Sequence, residues 1–229
     1  MRVNIRNKQL FSYVIQRMFP GFDLPEINGL TIDSRNVKQG DIFLPLRGNK
    51  FDGHQFISQA EASGASLAFV ENPIGTSLSI KQVKSTKSFL YDLVREYRSQ
   101  LAYPFIGITG SNGKTTTKDL LCHVLSDQMN VMRTEGNFNS TTGAPLSLLA
   151  FDTDSDIAVI EIGANHPGEI ETICNIVKPN MGLITNIGEA HLAHFGSKNE
   201  IAKTKSALFA SLPSDGTAFV NLDDPFISK

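Results

Sequence analysis

The stretch "ITGSNGKTTTKDLL", residues 108–121, follows the apolar residues "FIG" and runs straight into a helical pattern. A buried strand, a glycine-bearing loop and a helix, in that order, are the context in which backbone N–H groups can hold a phosphate. Gly110 and Gly113 carry no side chain to keep phosphate oxygens away. The helix starting near Lys114 presents its positive end to the same anion. In this pattern Lys114 reaches the terminal phosphates and the Thr115 hydroxyl ligates Mg²⁺. Thr109, Ser111, Asn112 and Thr116 complete the loop. A strict G-x4-G-K-[ST] loop has glycine at the place of Ile108. The competing reading is a glycine-rich turn with an exposed lysine.

Outward from this loop, strand and helix patterns alternate. Downstream come a strand at 130–134, a helix at 142–151, the strand "IAVIEIG" at 157–163 and a helix at 168–177. A strand at 181–187, a helix at 198–211 and the strand "TAFVNL" at 217–222 follow. Upstream, "GLTIDS" and "DIFLPL" read as strands, 54–65 as a helix, 66–71 and 80–83 as strands, and 86–102 as an amphipathic helix. The class is α/β, with a mostly parallel sheet covered on both faces in the second half. Pro104 pushes Tyr103 away from the helical region, so the expected domains are 1–102 and 103–229.

The 229 residues exceed one domain of about 150. With a formal charge of −2 and no basic run, nothing favours a nucleic-acid or anionic-membrane surface, and neither partner is expected. No segment approaches the roughly 20 apolar residues of a membrane span, and the N-terminus does not read as a signal peptide. Cys122 and Cys174 fall in apolar helical patterns and are expected to be reduced core residues. A cytoplasmic monomer is the simplest expectation.

The phosphate loop resembles that of the Mur ligase family, which uses a T-G-[ST]-x-G-K-[ST]-[ST] variant. Residues 32–71, "IDSRNVKQGDIFLPLRGNKFDGHQFISQAEASGASLAFVE", are similar to the family's N-terminal UDP-sugar domain. Residues 159–197, with "GANHPGEI" and "GEAHLAHFGS", resemble the branch that adds D-alanyl-D-alanine to UDP-N-acetylmuramoyl-tripeptide. "AKTKSALF" fits the family's lysine helix. The resemblance implies an ATP- and Mg²⁺-dependent amide ligase of peptidoglycan precursor synthesis. In such a ligase a carboxylate attacks the γ-phosphate and an amine then attacks the acyl phosphate. It also implies three domains, so the chain is expected to be a fragment that makes no amide alone. A non-catalytic UDP-sugar and nucleotide module, or another Mur-like ligase related to folylpolyglutamate synthetase, are the competing functions.

The resemblance also distributes roles among residues. Glu161, ending a buried strand, is implied as a Mg²⁺ ligand; a strand-end glutamate paired with a lysine is the alternative. His191 matches the histidine associated with a second Mg²⁺, against a merely solvated side chain. Lys205 matches the lysine that takes up CO₂ to become a carbamate, with Lys203 and a solvated helix lysine as alternatives. Ser34, Asn49 and Asp52 match uridine-nucleotide contacts, while Asp33 and Arg35 buttress their turn. Asn139, Thr141 and Thr142 match the loop holding the muramoyl part, where helix capping competes as an explanation. The final strand, "TAFVNL", is expected to leave an uncovered sheet edge.

Overall fold

The structure is a computed structural model that describes residues 1–48, 51–73, 75–188 and 195–228. The chain divides into two compact units, one of Met1–Gln100 with Leu148–Phe151, the other of Leu101–Ser147 with Asp152–Lys229.

Unit 1 holds a five-stranded sheet in sequential order: β1 (Arg2–Asn4), β2 (Gly29–Thr31), β3 (Asp41–Phe43), β4 (Leu67–Val70) and β5 (Ser79–Gln82). β1 runs antiparallel to β2 and all other pairs are parallel. Its helices are α1 (Lys8–Met18), α2 (Ile57–Ala62) and α3 (Thr86–Ser99). Neither β1 nor α1 stands out in the sequence. β1 is three residues whose partner lies beyond position 28, so its pairing is non-local. α1 shows itself only through the Asn7 cap, which accepts from the Leu10 N–H at 2.8 Å, and through buried Phe11, Val14 and Ile15. The Arg2 guanidinium donates to both oxygens of fully buried Asp41, at 2.6 and 2.7 Å. This two-pronged pair ties β1 to β3 across the intervening strand.

The core of unit 1 is aromatic. Phe69 of β4 and Phe89 of α3 have ring centroids 4.1 Å apart, and Phe19 stacks on Phe69 at 6.1 Å. Tyr97 is fully buried and its hydroxyl donates to the Phe151 carbonyl at 2.8 Å, so burial of that ring leaves no orphaned polar group.

Unit 2 has an all-parallel sheet in the order β10-β9-β6-β8-β7. Its strands are β6 (Phe105–Thr109), β7 (Val131–Arg133), β8 (Ile157–Glu161), β9 (Met181–Ile184) and β10 (Thr217–Phe219). The helices are α4 (Lys114–Leu125), α5 (Gly143–Leu148, which ends in unit 1), α6 (Glu169–Val177) and α7 (Lys198–Ala210). Ile106 and Ile108 cluster with Cys122 of α4 on one face of the sheet, while Leu208 of α7 lies against Gly107 and Gly182 on the other. Side chains alternate across a strand, so the helices cover both faces, as the continuous apolar strands require.

The chain steps from β6 outward to β7, returns to β8 and then crosses to β9 on the far side of β6. That reversal makes the carboxyl end of β6 the switch point where open α/β sheets bind ligands. β10 sits at the sheet edge with all three residues exposed, followed by exposed Val220, Leu222 and Phe226. The uncovered edge foreseen for this strand is present among the described residues.

Candidate functional site

In unit 2, Ile108 pairs in register with Glu161 and Leu183. Its side chain is fully buried with Ile157 and Val159. Position 108 is therefore strand rather than loop, which explains why an apolar β-branched residue replaces the glycine of the strict pattern. The loop turns at Gly110, with φ +148°. A Cβ there would come within 1.9 Å of Thr185 Oγ1, so only glycine fits. Gly113, at φ +79°, hands the chain to α4 without a side-chain cap. The first-turn N–H groups are thereby left for an anion.

Residues 185–188, after β9, clasp this loop. The Ser111 N–H donates to the Asn186 carbonyl at 2.9 Å and the Asn112 N–H to Asn186 Oδ1 at 3.1 Å. Thr185 Oγ1 donates to the Asn112 carbonyl at 2.6 Å, and the Gly188 N–H to Ser111 Oγ at 2.8 Å. Thr109 is fully buried and its carbonyl accepts from the Thr185 N–H at 2.9 Å, whereas Thr116 is exposed. Nothing in the periodicity of "LITNIG" marks it as a clasp.

Lys114 lies over its own loop, donating to the carbonyls of Gly110 at 2.8 Å and Ser111 at 3.3 Å. Burial pushes its pKa down, with the Glu161 charge pulling it up. Glu161 is only 2% exposed. It accepts from Thr115 Oγ1 at 2.8 Å and from Asn139 Nδ2 at 2.7 Å. The strand-end alternative, a glutamate paired with a lysine, finds no such ion pair among the described residues.

A hydroxyl and a carboxylate 2.8 Å apart are hard oxygen donors suited to Mg²⁺. No cluster of three or more His, Cys, Asp or Glu is gathered among the described residues.

Lys205 is 5% exposed and, with Lys114, Gly110, Asn139 and Glu169, lines a cavity of about 130 Å³. Burial first, and the Lys114 charge second, lower its pKa to about 8. Lys203 is exposed. Glu169, which the sequence reading does not single out, sits in the first turn of α6 and accepts from the Asn165 N–H at 2.7 Å and the His166 N–H at 3.2 Å. Its sequence signal is that of an ordinary acidic helix start. Ser140 Oγ accepts from the Gly143 N–H at 3.1 Å, so helix capping accounts for that serine, and Thr141 and Thr142 lead into α5. His191 and Asn49 lie outside the described residues. Both cysteines are buried and unbridged, and burial pushes the Cys174 thiol up to about 11.

Unit 1 carries a cavity of about 570 Å³ lined by Ser34, Arg35, Phe43, Phe51, Phe56 and Gln59 among others. Ser34 is buried and its hydroxyl donates to Gln59 Oε1 at 2.8 Å. Phe51 and Phe56 stack at 5.3 Å. Asp33 caps the turn at 34–36 and pairs with the Arg35 guanidinium at 2.7 Å, which holds its carboxyl at about 2. Asp52 accepts from the His54 N–H at 3.0 Å, from His54 Nδ1 at 2.7 Å and from Arg47 Nε at 3.0 Å. Those bonds, the His54 backbone one foremost, hold its carboxyl at about 2. His54 Nε2 accepts from the Glu71 N–H at 3.2 Å, which leaves the ring proton on Nδ1, facing Asp52. Both carboxylates are engaged in shaping turns beside the cavity.

Among the described residues no helix is long and apolar enough to cross a membrane. Residues 108–229 match the Mur ligase middle domain, and residues 26–98 match a domain described as the Mur ligase family catalytic domain. The chain is 39% identical over 206 residues to a UDP-N-acetylmuramoyl-tripeptide–D-alanyl-D-alanine ligase of Synechocystis sp., covering 89% of this chain and 45% of that protein. A crystal structure of MurF from Acinetobacter baumannii superposes with a TM-score of 0.86 at 36% identity, covering all of this chain and 50% of the other. MurF from Thermotoga maritima in complex with ADP gives a TM-score of 0.77 at 36% identity, over 86% of this chain and 46% of the other. The chain thus spans about half the length of the relatives it matches. Matched in two successive regions and over most of its own length, the chain belongs to the Mur ligase family.

Proposed function

We propose that the chain forms the sugar-nucleotide- and ATP-binding part of an ATP-dependent amide ligase. Its reaction joins D-alanyl-D-alanine to UDP-N-acetylmuramoyl-tripeptide in peptidoglycan precursor synthesis. The observation that carries this reading is the grouping of Lys114, Lys205 and the Thr115–Glu161 pair around the phosphate loop. In the reaction, an oxygen of the tripeptide carboxylate attacks the γ-phosphorus and the bond to ADP breaks. The dipeptide amine then attacks the acyl carbon, phosphate leaves and the amine gives up its proton.

The first step brings two anions together, so its barrier is largely electrostatic. Lys114 meets the terminal phosphates by leaving the carbonyls of Gly110 and Ser111. The uncapped helix start of α4 neutralises the rest. Thr115 and Glu161 would hold Mg²⁺, which would supply charge neutralisation for the phosphates. His191 is assigned to a second such cation by the resemblance.

Burial lowers the Lys205 pKa to about 8, which raises the fraction of neutral amine able to add CO₂. The nitrogen bonds the carbon, a proton leaves, and an anionic carbamate results, which would serve the cation site as a further carboxylate. Asn139 keeps Glu161 in place and lines the same cavity; with Thr141 and Thr142 it is assigned to the muramoyl side. In unit 1, Ser34 and the cavity it lines are assigned to the uridine nucleotide, with Asp52 in the turn beside it; Asn49 is assigned to the same nucleotide by the resemblance alone.

Phosphate release by the complete ligase carrying this sequence tests the proposal. It should require ATP, the UDP-linked tripeptide and D-alanyl-D-alanine together. Release independent of the dipeptide would contradict it.

A further inference from the structure

"KTTTKDLL" places Lys118 four residues after Lys114, on the same side of α4. By pattern it is one more solvated helix lysine. In the structure it is 2% exposed. Its Nζ donates to the Thr134 carbonyl at 3.0 Å, and the nearest carboxylate, at 3.4 Å, belongs to half-exposed Asp119. A buried ammonium is costly unless bonded, so what it holds is informative.

It holds Thr134, a fully buried residue just beyond β7 with three separate bonds. The Thr134 N–H donates to the Val159 carbonyl at 3.1 Å, its carbonyl accepts from Lys118, and its hydroxyl accepts from the Glu161 N–H at 3.0 Å. Glu161 in turn accepts from Thr115 Oγ1, back on α4. Lys118, Thr134, Glu161 and Thr115 therefore close a ring between α4 and the end of β8. Thr115 and Glu161 are the two groups assigned above to the cation, and the other half of the ring sets the backbone on which Glu161 stands.

We propose that Lys118 and Thr134 are positioning residues that hold the Glu161 carboxylate against Thr115, so that a nucleotide-bound divalent cation meets both oxygens together. The inference rests on the nucleotide reading above. It assigns these residues no contact with nucleotide. Their effect falls on the cation-dependent part of binding.

Calorimetric titration of the chain with ADP, once with Mg²⁺ and once with EDTA, separates the two parts. Wild type should bind ADP more tightly with Mg²⁺. Lys118→Met and Thr134→Val should each lose about 3- to 10-fold of that gain, the size of one hydrogen bond. Their Mg²⁺-free affinity should stay unchanged. Lys118→Arg and Thr134→Ser, which keep a donor and a hydroxyl, should restore most of the gain. Equal loss with and without Mg²⁺, or a full gain retained in Lys118→Met and Thr134→Val, overturns the inference and leaves the nucleotide reading intact. If both fail to fold, their role is stability and the inference also falls. A wild-type chain whose ADP binding ignores Mg²⁺ sinks this inference and the cation assignment together.

Discussion

Under the proposed function the two units hold their nucleotides with opposite materials. In unit 1 the motif charges neutralise one another: Asp33 pairs with Arg35, and Asp52 with Arg47. What remains open is a wide cavity of about 570 Å³ to which Phe43, Phe51 and Phe56 contribute aromatic rings. In unit 2 the cavity is about 130 Å³, and Lys114 and Lys205 line it together with Glu169, with the Glu161 charge acting on Lys114. Burial, and then the nearby Lys114 charge, lower the pKa of Lys205 to about 8. Under the proposed function, shape and apolar contact would do much of the holding in the first unit, and buried positive charge in the second. Charge of that kind is costly to bury and belongs where a substrate brings phosphates.

The largest break in this contrast should come from Lys205→Ala. In the complete ligase it should lower dipeptide-dependent phosphate release by about 100-fold or more, as expected when a preorganised charge is removed from a reacting anion. Added short carboxylates should restore part of it. Unchanged release would remove Lys205 from the site. The same residue carries a pH signature. Folding lowers its pKa from 10.5 to about 8, so fewer protons are bound in the folded state between those values. Its contribution to stability therefore rises as pH climbs from 8 to 10.5. The neutral amine also becomes abundant through that lower value. A carbamate signal from ¹³C-bicarbonate should grow between pH 7 and 9 and be missing in Lys205→Ala.

A smaller effect, confined to the other unit, is expected from Gly53→Ala. Its Cβ would stand 2.9 Å from both the backbone nitrogen and oxygen of Leu46, on the wall of the larger cavity. Backbone cannot step aside as a flexible side chain can, so a loss of about 1–3 kcal/mol is expected. UDP-sugar affinity should fall with it and ADP affinity should not. A fall in both would contradict separate recognition in the two units.

Much of unit 2 is legible in the sequence because its signals are local. "FIGITGSNGKTT" encodes strand, turn and helix start within a dozen residues, and Glu161 is marked by its place after four apolar strand residues. The ring through Lys118 and Thr134 is invisible because it is made across strands. A lysine in an amphipathic helix looks solvated until β7 closes over it. β1 is hidden for the same reason, since it depends on a strand 25 residues further on. Asn139 was legible as a polar site residue, but its partner is Glu161, a contact that only the register of β8 reveals. The clasp by residues 185–188 likewise exists only because β9 lies beside β6.

The contrast between the units is tested most directly by titrating wild type and Lys114→Ala with Mg²⁺–ADP and, separately, with UDP-N-acetylmuramoyl-tripeptide. Lys114→Ala should weaken ADP binding by about 10- to 100-fold, the range for a lost charge-assisted hydrogen bond, and leave the UDP ligand unchanged. Unaltered ADP affinity, or a parallel loss of both ligands, would contradict the account.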